Sequence, residues 1–252
     1  MKRLCIALIC LLLFCTPALA TDWASLFASN NNQEAMRLLG AADIRTVQME
    51  VADLNALYQS TPARRLGIGL ILYEATLFRG ATNDSAEAFK PIVPTLIAHL
   101  TDPDVKTRLS VMRVLAMLKP QLPAEALDPF VSLLHSETEI ENVRVAIAAV
   151  ARYCETSKQA VSALADAAGS GQADEKRAAV LMAIGQTNCR DAELVNAVAT
   201  GLRSDGPNIV LAAVQAVARF DPETVAPLRP DLERIAAGKG DAAEFARKRL
   251  QR

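Results

Sequence analysis

The sequence predicts an all-α protein in which helix pairs stack into an elongated α-solenoid. Alanine and leucine supply much of the apolar content, whereas aromatic residues make up only 4% of the chain, too few for the usual core of a sandwich or barrel. Apolar residues recur at intervals of four and three, which places them on one face of a helix. Segments with this pattern repeat every 33 to 39 residues, a period typical of repeat proteins.

Residues 1–20 are predicted to be a secretory signal peptide. Two basic residues precede an apolar run over residues 4–14, and small residues close the segment at Ala20, an order typical of cleaved signals. The run is shorter than the roughly 20 residues that a membrane-spanning helix needs. Because Phe14 precedes Cys15, a lipid anchor is disfavoured. We therefore expect an exported protein, periplasmic or secreted, with no membrane span; an uncleaved anchor is the alternative.

The charge balance disfavours two classes of partner. The formal net charge is −1 at pH 7, and loss of Lys2 and Arg3 with the signal peptide makes the remainder slightly more acidic. A mildly acidic chain has no electrostatic attraction for nucleic acid or for an anionic membrane. We expect neither as a partner.

Residues 21–60 are predicted to be an N-terminal helical cap. Four apolar residues follow the same spacing of four, three and four, namely Val47, Val51, Leu54 and Tyr58, and a shorter cluster holds Trp23, Leu26 and Phe27. The end repeat of a solenoid would otherwise expose its apolar face, so a segment of this kind is expected before the first repeat.

Five segments after residue 61 are predicted to be helices of one type, here called the alanine-rich helices. Their first core positions are Leu66, Val105, Val143, Lys176 and Ile209. The positions four, seven and eleven residues later form three further columns, in which Thr187 is the only residue that is not apolar or small. One apolar face recurring five times predicts one repeated helix.

A second predicted helix, here called the intervening helix, follows each alanine-rich helix. Three of them carry a proline near their start, at Pro94, Pro129 and Pro230, where the missing amide would have no partner within the helix. Asp102-Pro103 and Asp221-Pro222 are interpreted as helix caps followed by a first-turn proline, and Thr138 with Glu141 as a capping box.

These features resemble HEAT-repeat proteins of the armadillo-like group. Asp104-Val105-Lys106 and Asn142-Val143-Arg144 carry the resemblance, together with the alanine-rich helices. It covers residues 61–252 and implies a solenoid of about five helix pairs, each read as an alanine-rich helix and then an intervening helix. A generic all-α bundle is the alternative. The segment over residues 241–252 is predicted to be a polar-faced C-terminal cap, whose basic residues are solvated.

The resemblance also implies a ladder and a concave face. The basic residue after the valine of the repeat commonly joins neighbouring repeats in this family, and Lys106, Arg144 and Arg177 match it. The second helix of each pair lines the concave face of such a solenoid. In the pairing above, these are the intervening helices.

No motif for catalysis, a cofactor or a metal emerges. His99 and His135 occupy different positions in neighbouring repeats and lack further ligands at a metal-binding spacing. Gly67-Ile68-Gly69 lacks the third glycine and the preceding strand of a dinucleotide site. We expect neither enzymatic activity nor a bound cofactor.

Cys154 and Cys189 remain after removal of the signal peptide and form a possible disulfide. An even number of cysteines in an exported chain favours a bridge. Against it, stacked helices lie about 8–10 Å apart, whereas bridged Cα atoms need roughly 4.4–6.8 Å. Cys154 also fits the core as a buried free thiol, so both states stay open.

The predicted function is that of an exported, non-enzymatic scaffold or adaptor that binds a protein partner along its concave face. The residues that point away from the core on the intervening helices form the predicted partner-binding ridge: Thr95, Glu125, Ser132, Gln159, Asp166, Asn196, Thr200, Glu223 and Arg234. A receptor for a small molecule or peptide is the alternative. Some HEAT-like proteins attach bilin chromophores, which would imply a lyase, but export and the lack of a candidate nucleophile disfavour it.

Overall fold

The structure is a computed structural model that describes residues 21–28, 32–41, 43–79, 87–118 and 124–251, and the described residues contain helices and no strand. The predicted signal peptide lies outside them. The first helices are α1 (Trp23–Ala28), α2 (Asn32–Ala41), α3 (Ile44–Ser60), α4 (Arg65–Arg79), α5 (Val93–Ala98), α6 (Val105–Met117), α7 (Leu127–Ser136) and α8 (Ile140–Ala151). They are followed by α9 (Lys158–Ala167), α10 (Asp174–Gln186), α11 (Ala192–Leu202), α12 (Pro207–Val217), α13 (Pro222–Val225), α14 (Arg229–Ala236) and α15 (Asp241–Leu250).

The helices form two rows, which we call row A and row B. Row A holds the intervening helices α5, α7, α9, α11 and α14, preceded by α3. Row B holds the alanine-rich helices α4, α6, α8, α10 and α12, preceded by α2 and followed by α15. Neighbours within each row pack side by side, and the two rows pack against each other along the chain. The predicted all-α solenoid is confirmed.

The order of the two helices within a pair differs from the prediction, because the intervening helix comes first and the alanine-rich helix second. Most row A helices pack chiefly on the row B helix that follows them, as α7 does on α8 and α11 on α12, whereas α3 and α9 pack about equally on the preceding and the following row B helix. The pairing of the majority, continued along the chain, gives pairs from α3 with α4 to α14 with α15. Two segments that the sequence assigned to caps, α3 and α15, thus become members of the first and last pairs, and Val47, Val51, Leu54 and Tyr58 are all buried.

Short polar side chains begin several helices. Asp104 accepts a hydrogen bond from the Thr107 amide at 2.9 Å at the start of α6, and Asp221 accepts one from the Thr224 amide at 2.8 Å at the start of α13, as expected for N-caps. Two predicted caps are wrong in detail. The N-cap of α6 is Asp104 rather than Asp102, and α8 begins after Glu139 without a side-chain cap in place of the predicted capping box.

The predicted core column is wrong in α4 and partly wrong in α6, where Met112 is buried as predicted. Leu70 and Leu77 are 43% and 47% exposed, and Val105 is also exposed. The buried positions lie two residues later, at Ile68, Leu72 and Ala75 in α4 and at Thr107, Val111, Val114 and Leu118 in and after α6. Both helices carry apolar residues on two faces, so periodicity alone allows two columns. Packing against row A selects between them.

Small residues allow the helices of row B to approach closely. A Cβ atom added at Gly185 of α10 would lie 2.5 Å from the Ala216 Cα atom of α12. A Cβ atom at Gly69 of α4 would collide with the Ser110 hydroxyl of α6. Neighbouring helices of row B accordingly contact each other more extensively than those of row A.

Polar contacts between repeats differ from the predicted ladder. Arg144 does reach the next repeat, with Nη2 3.1 Å from Glu175 Oε1, but buried Arg177 donates to the Ala168 carbonyl within its own helix pair. Other arginines make the junctions between repeats. Arg108 Nη2 lies 2.9 Å from Glu137 Oε2, and Arg152 Nη1 donates to the Ala116 carbonyl at the end of α6 at 2.6 Å.

Candidate functional site

A groove of about 760 Å³ crosses three helices of row B, and we call it the row B groove. Helices α8, α10 and α12 form its walls. Its lining contains aliphatic and small side chains together with polar ones of both charges: Arg144, Ile147, Ala148, Asp174, Glu175, Ala178, Ala179, Met182, Ala183, Gln186, Asn208, Leu211, Ala212 and Gln215. A neighbouring hollow of about 360 Å³ shares Met182, Gln186 and Gln215 with it and extends the concave surface to Phe245 of α15.

The solvent-facing side of row B is unusually apolar. Met182 and Phe245 are 45% and 40% exposed, and both line the continuous hollow. Leu70, Leu77 and Val105 are further large apolar side chains that row B leaves exposed. Exposed apolar side chains that line one hollow, as Met182 and Phe245 do, are typical of surfaces that another molecule covers.

Charged groups in the groove pair with one another near its edge. Arg144 lies 3.3 Å from Glu141 and 3.1 Å from Glu175, and all three side chains are more than half exposed. Exposed pairs contribute little stability because water screens them. These groups are therefore available to exchange partners when a ligand approaches.

Row A presents the opposite surface. Lys158 Nζ lies 3.2 Å from Asp191 and 3.0 Å from Glu193 of the next repeat, and Ser162 donates to Glu193 at 2.9 Å. Hydrogen bonds from these neighbours hold the pKa of Glu193 below its usual value, while those to Glu193 and Asp191 raise the pKa of Lys158. The polar groups of row A thus pair across repeats, as Arg144 and Glu175 do at the edge of the groove.

The predicted partner-binding residues lie along row A, and one of them is buried. Thr95 is only 8% exposed, because its hydroxyl accepts a hydrogen bond from Gln59 at 2.9 Å. The expectation that Thr95 belongs to an exposed ridge is therefore wrong. The others are exposed: Glu125, Ser132, Gln159, Asp166, Asn196, Thr200, Glu223 and Arg234.

Two of the exposed ridge residues join neighbouring repeats. Gln159 donates to Asp128 at 2.8 Å, and Arg234 donates to the Leu202 carbonyl at 2.7 Å. These contacts give both side chains a structural role. Their predicted role in partner binding stays a prediction.

The histidines take part in local packing. His99 Nδ1 lies 2.8 Å from the Thr95 carbonyl, and the ring meets Tyr58 edge-on at 5.0 Å. His135 Nδ1 lies 2.7 Å from the Val131 carbonyl. Across the described residues, no three His, Cys, Asp or Glu side chains converge to hold a metal ion.

Among the described helices, none combines the length and the apolar character needed to cross a bilayer.

Cys154 and Cys189 lie side by side as free thiols. Cys154 follows α8 and Cys189 follows α10, and both side chains are buried. Cys189 Sγ lies 3.1 Å from the Cys154 carbonyl oxygen. Burial, followed by the contact with Cys189, raises the pKa of the Cys154 thiol to about 12. The predicted disulfide is not formed in this structure, but its two partners are in contact.

The comparison with protein families identifies the repeats over part of the chain. Residues 93–185 match the model of HEAT repeats. This part of the chain is similar to HEAT repeats, in agreement with the resemblance noted in the sequence. The matched range begins at the start of α5 and ends within α10, so it holds three whole pairs in the observed phase.

Solved structures and curated proteins were also compared with the chain. A designed armadillo repeat protein in complex with the peptide (KR)4 is among the matching structures, with 18% identity and a TM-score of 0.49, over 86% of this chain and 97% of that chain. No curated protein matches the sequence.

Sequence reasoning missed the row B groove. Its walls are three helices that are far apart in the sequence, so no local pattern indicates the groove. The exposure of Leu70, Leu77 and Val105, which lie outside the groove, was missed as well. The signal for that exposure was the second apolar face of α4 and α6.

Proposed function

We propose that this HEAT-like protein is an exported, non-enzymatic scaffold that binds a protein partner in the row B groove. The observation that carries the proposal is the contrast between the rows. Row B offers a continuous hollow with exposed Met182 and Phe245, whereas row A offers charges that already pair with one another. Burial of apolar surface is the main driving force of protein association.

The shape of the stack supports the same surface. A stack bends toward the row whose helices approach more closely, and Gly185 against Ala216 sets such an approach in row B. Row B is then the concave side. The HEAT resemblance implies that the second helix of each pair lines the concave face, and in the observed phase that helix belongs to row B. The proposal therefore keeps the concave face and moves it from the intervening to the alanine-rich helices.

Export rests on the order of residues 1–20, with basic residues, an apolar run and small residues before the predicted cleavage site. Intact mass of the secreted or periplasmic protein tests it. We expect a chain that begins at Thr21, and retention of residues 1–20 would contradict export by cleavage.

A receptor for a small apolar molecule is the second candidate, favoured by the volume of the groove. Ligand pockets commonly measure about 300–1,000 Å³, and the row B groove falls in that range. Its walls carry aliphatic rather than aromatic side chains, which favours a protein partner with apolar side chains of its own.

Site-specific photocrosslinking distinguishes the two surfaces. A photoreactive residue at Leu211 in the groove should link the partner in cells, whereas one at Asn196 on row A should not. A link from Asn196 alone would assign binding to row A. Lack of a protein adduct at either position, together with a small molecule co-purifying with the protein, would favour the receptor.

A further inference from the structure

The contact between Cys154 and Cys189 joins two walls of the row B groove. Cys154 lies in the turn after α8, and Cys189 lies in the turn after α10. The Cys189 thiol reaches to 3.1 Å from the carbonyl oxygen of Cys154 itself. The pair therefore sits between adjacent repeats, beyond the ends of two helices that form walls of the groove.

The position of the cysteines beyond the helix ends removes the distance objection to a bridge. Stacked helix axes lie about 8–10 Å apart, too far for cysteines within the helices. Turns can approach more closely, and a sulfur that touches the backbone of its partner lies within the reach that a disulfide requires.

We propose that Cys154 and Cys189 form a disulfide that fastens α8 to α10 beside the row B groove. The oxidant is a thiol–disulfide exchange partner, either a protein or glutathione disulfide. One cysteine thiolate attacks the donor disulfide and releases one donor thiol. The second thiolate then attacks the mixed disulfide, forms the Cys154–Cys189 bond and releases the other donor thiol. Two protons leave the protein, and the donor disulfide is reduced to two thiols.

Burial determines when this exchange occurs. Both side chains are buried, and the raised pKa of Cys154 keeps its sulfur protonated in the closed structure, whereas exchange requires a thiolate. The bond therefore forms while the repeats assemble or during local opening. Once formed, it is protected from reductants by the same packing.

The test is titration of the full-length protein in glutathione buffers from fully reducing to fully oxidising. Samples are quenched with acid, alkylated in denaturant and analysed by intact mass and peptide mapping. We expect one transition, from a chain in which both Cys154 and Cys189 are alkylated to a chain in which neither is alkylated and which yields a Cys154–Cys189 peptide. Mapping separates this bond from any that involve Cys5, Cys10 or Cys15. Two free thiols, or separate glutathione adducts, in the most oxidising buffer would overturn the proposal.

Thermal melting tests the fastening role. Closing a loop between Cys154 and Cys189 should raise the melting temperature of the oxidised form by roughly 5–15 °C. The variant with Cys154→Ala and Cys189→Ala should melt at the same temperature in both buffers. A bridge that forms without raising the melting temperature would contradict the fastening of α8 to α10. Neither outcome depends on the partner of the groove, so failure here leaves the proposed function standing.

Discussion

The two rows of helices differ in how closely neighbouring helices pack. Row B brings helices together through small residues, as Gly185 meets Ala216 between α10 and α12. Row A buries large side chains, including Phe130 of α7 and Leu164 of α9. Neighbouring helices of row B contact each other more extensively than those of row A, and we expect this difference to bend the stack toward row B.

The outer surfaces of the rows differ in the same sense. The outer surface of row A carries charged side chains that pair between repeats, such as Arg203 with Asp231 at 2.8 Å. Row B leaves Met182 and Phe245 partly uncovered. Large exposed apolar side chains are therefore more frequent on row B, although Met49 of row A is also exposed, and ion pairs between repeats occur on both rows. Removing bulk should damage row A, and adding bulk should damage row B.

Phe130→Ala should give the largest loss of stability. The Phe130 ring is fully buried in row A, and its truncation leaves a cavity that costs about 3–5 kcal/mol of unfolding free energy. Phe245→Ala is the control in row B, where the ring is 40% exposed and the loss should be about 1 kcal/mol or less. Urea unfolding measures both. Equal losses would contradict the assigned difference between the rows.

Gly185→Val should destabilise the protein by about 2–3 kcal/mol, because the new side chain meets the Ala216 backbone and the helices must separate. Gly171→Val is the matched control, since a Cβ atom there meets nothing within 4 Å and the change should stay within about 0.5 kcal/mol. Comparison of urea midpoints distinguishes them. Unchanged or increased stability of Gly185→Val would contradict the close contact between α10 and α12 at this position.

Local patterns predicted much of this fold. Spacing of apolar residues predicted the helices, and it placed Val47, Val51, Leu54 and Tyr58 in the core, where they are buried. Capping residues such as Asp221 act within one turn of the chain, so the sequence predicts them directly. These features depend on neighbours along the chain.

Features that depend on neighbours in space could not be predicted from the sequence. The pairing phase depends on which of two successive helices packs more closely, and periodicity is the same in either phase. The burial of Thr95 follows from Gln59 in the preceding repeat. The row B groove exists only because three helices that are far apart in the sequence lie side by side.

Glu137→Gln should lower stability by about 1–3 kcal/mol at pH 7, because the buried carboxylate accepts hydrogen bonds from Arg108 and Asn142. Burial alone would raise the pKa of Glu137, but hydrogen bonds from Asn142, the Glu139 amide and Arg108 outweigh it and leave the pKa below its ordinary value. A lowered pKa in the folded state stabilises the protein above the unfolded pKa of about 4.3, and this stabilisation is lost as pH falls through the folded pKa.

Urea titrations at pH 7 and pH 3 test the sign of this effect. The difference between the native protein and Glu137→Gln should shrink at the lower pH. Glu175→Gln is the exposed control, and it should change stability by no more than about 0.5 kcal/mol at either pH. A difference at position 137 that grows on acidification would contradict the lowered pKa.

Substitutions on the two surfaces should change partner affinity to different extents while changing stability little. Met182→Glu places a charge in the row B groove and should weaken binding about tenfold or more, the equivalent of about 1.4 kcal/mol. Joint reversal of Glu125, Asp166 and Glu223 to lysine changes row A only, and it should leave affinity within about twofold. The ridge predicted from the sequence requires the reverse result, with binding lost in the triple variant and kept in Met182→Glu.

All four positions are exposed, so each substitution should change stability by about 0.5 kcal/mol or less. Unchanged circular dichroism and melting would then attribute any loss of binding to the altered surface.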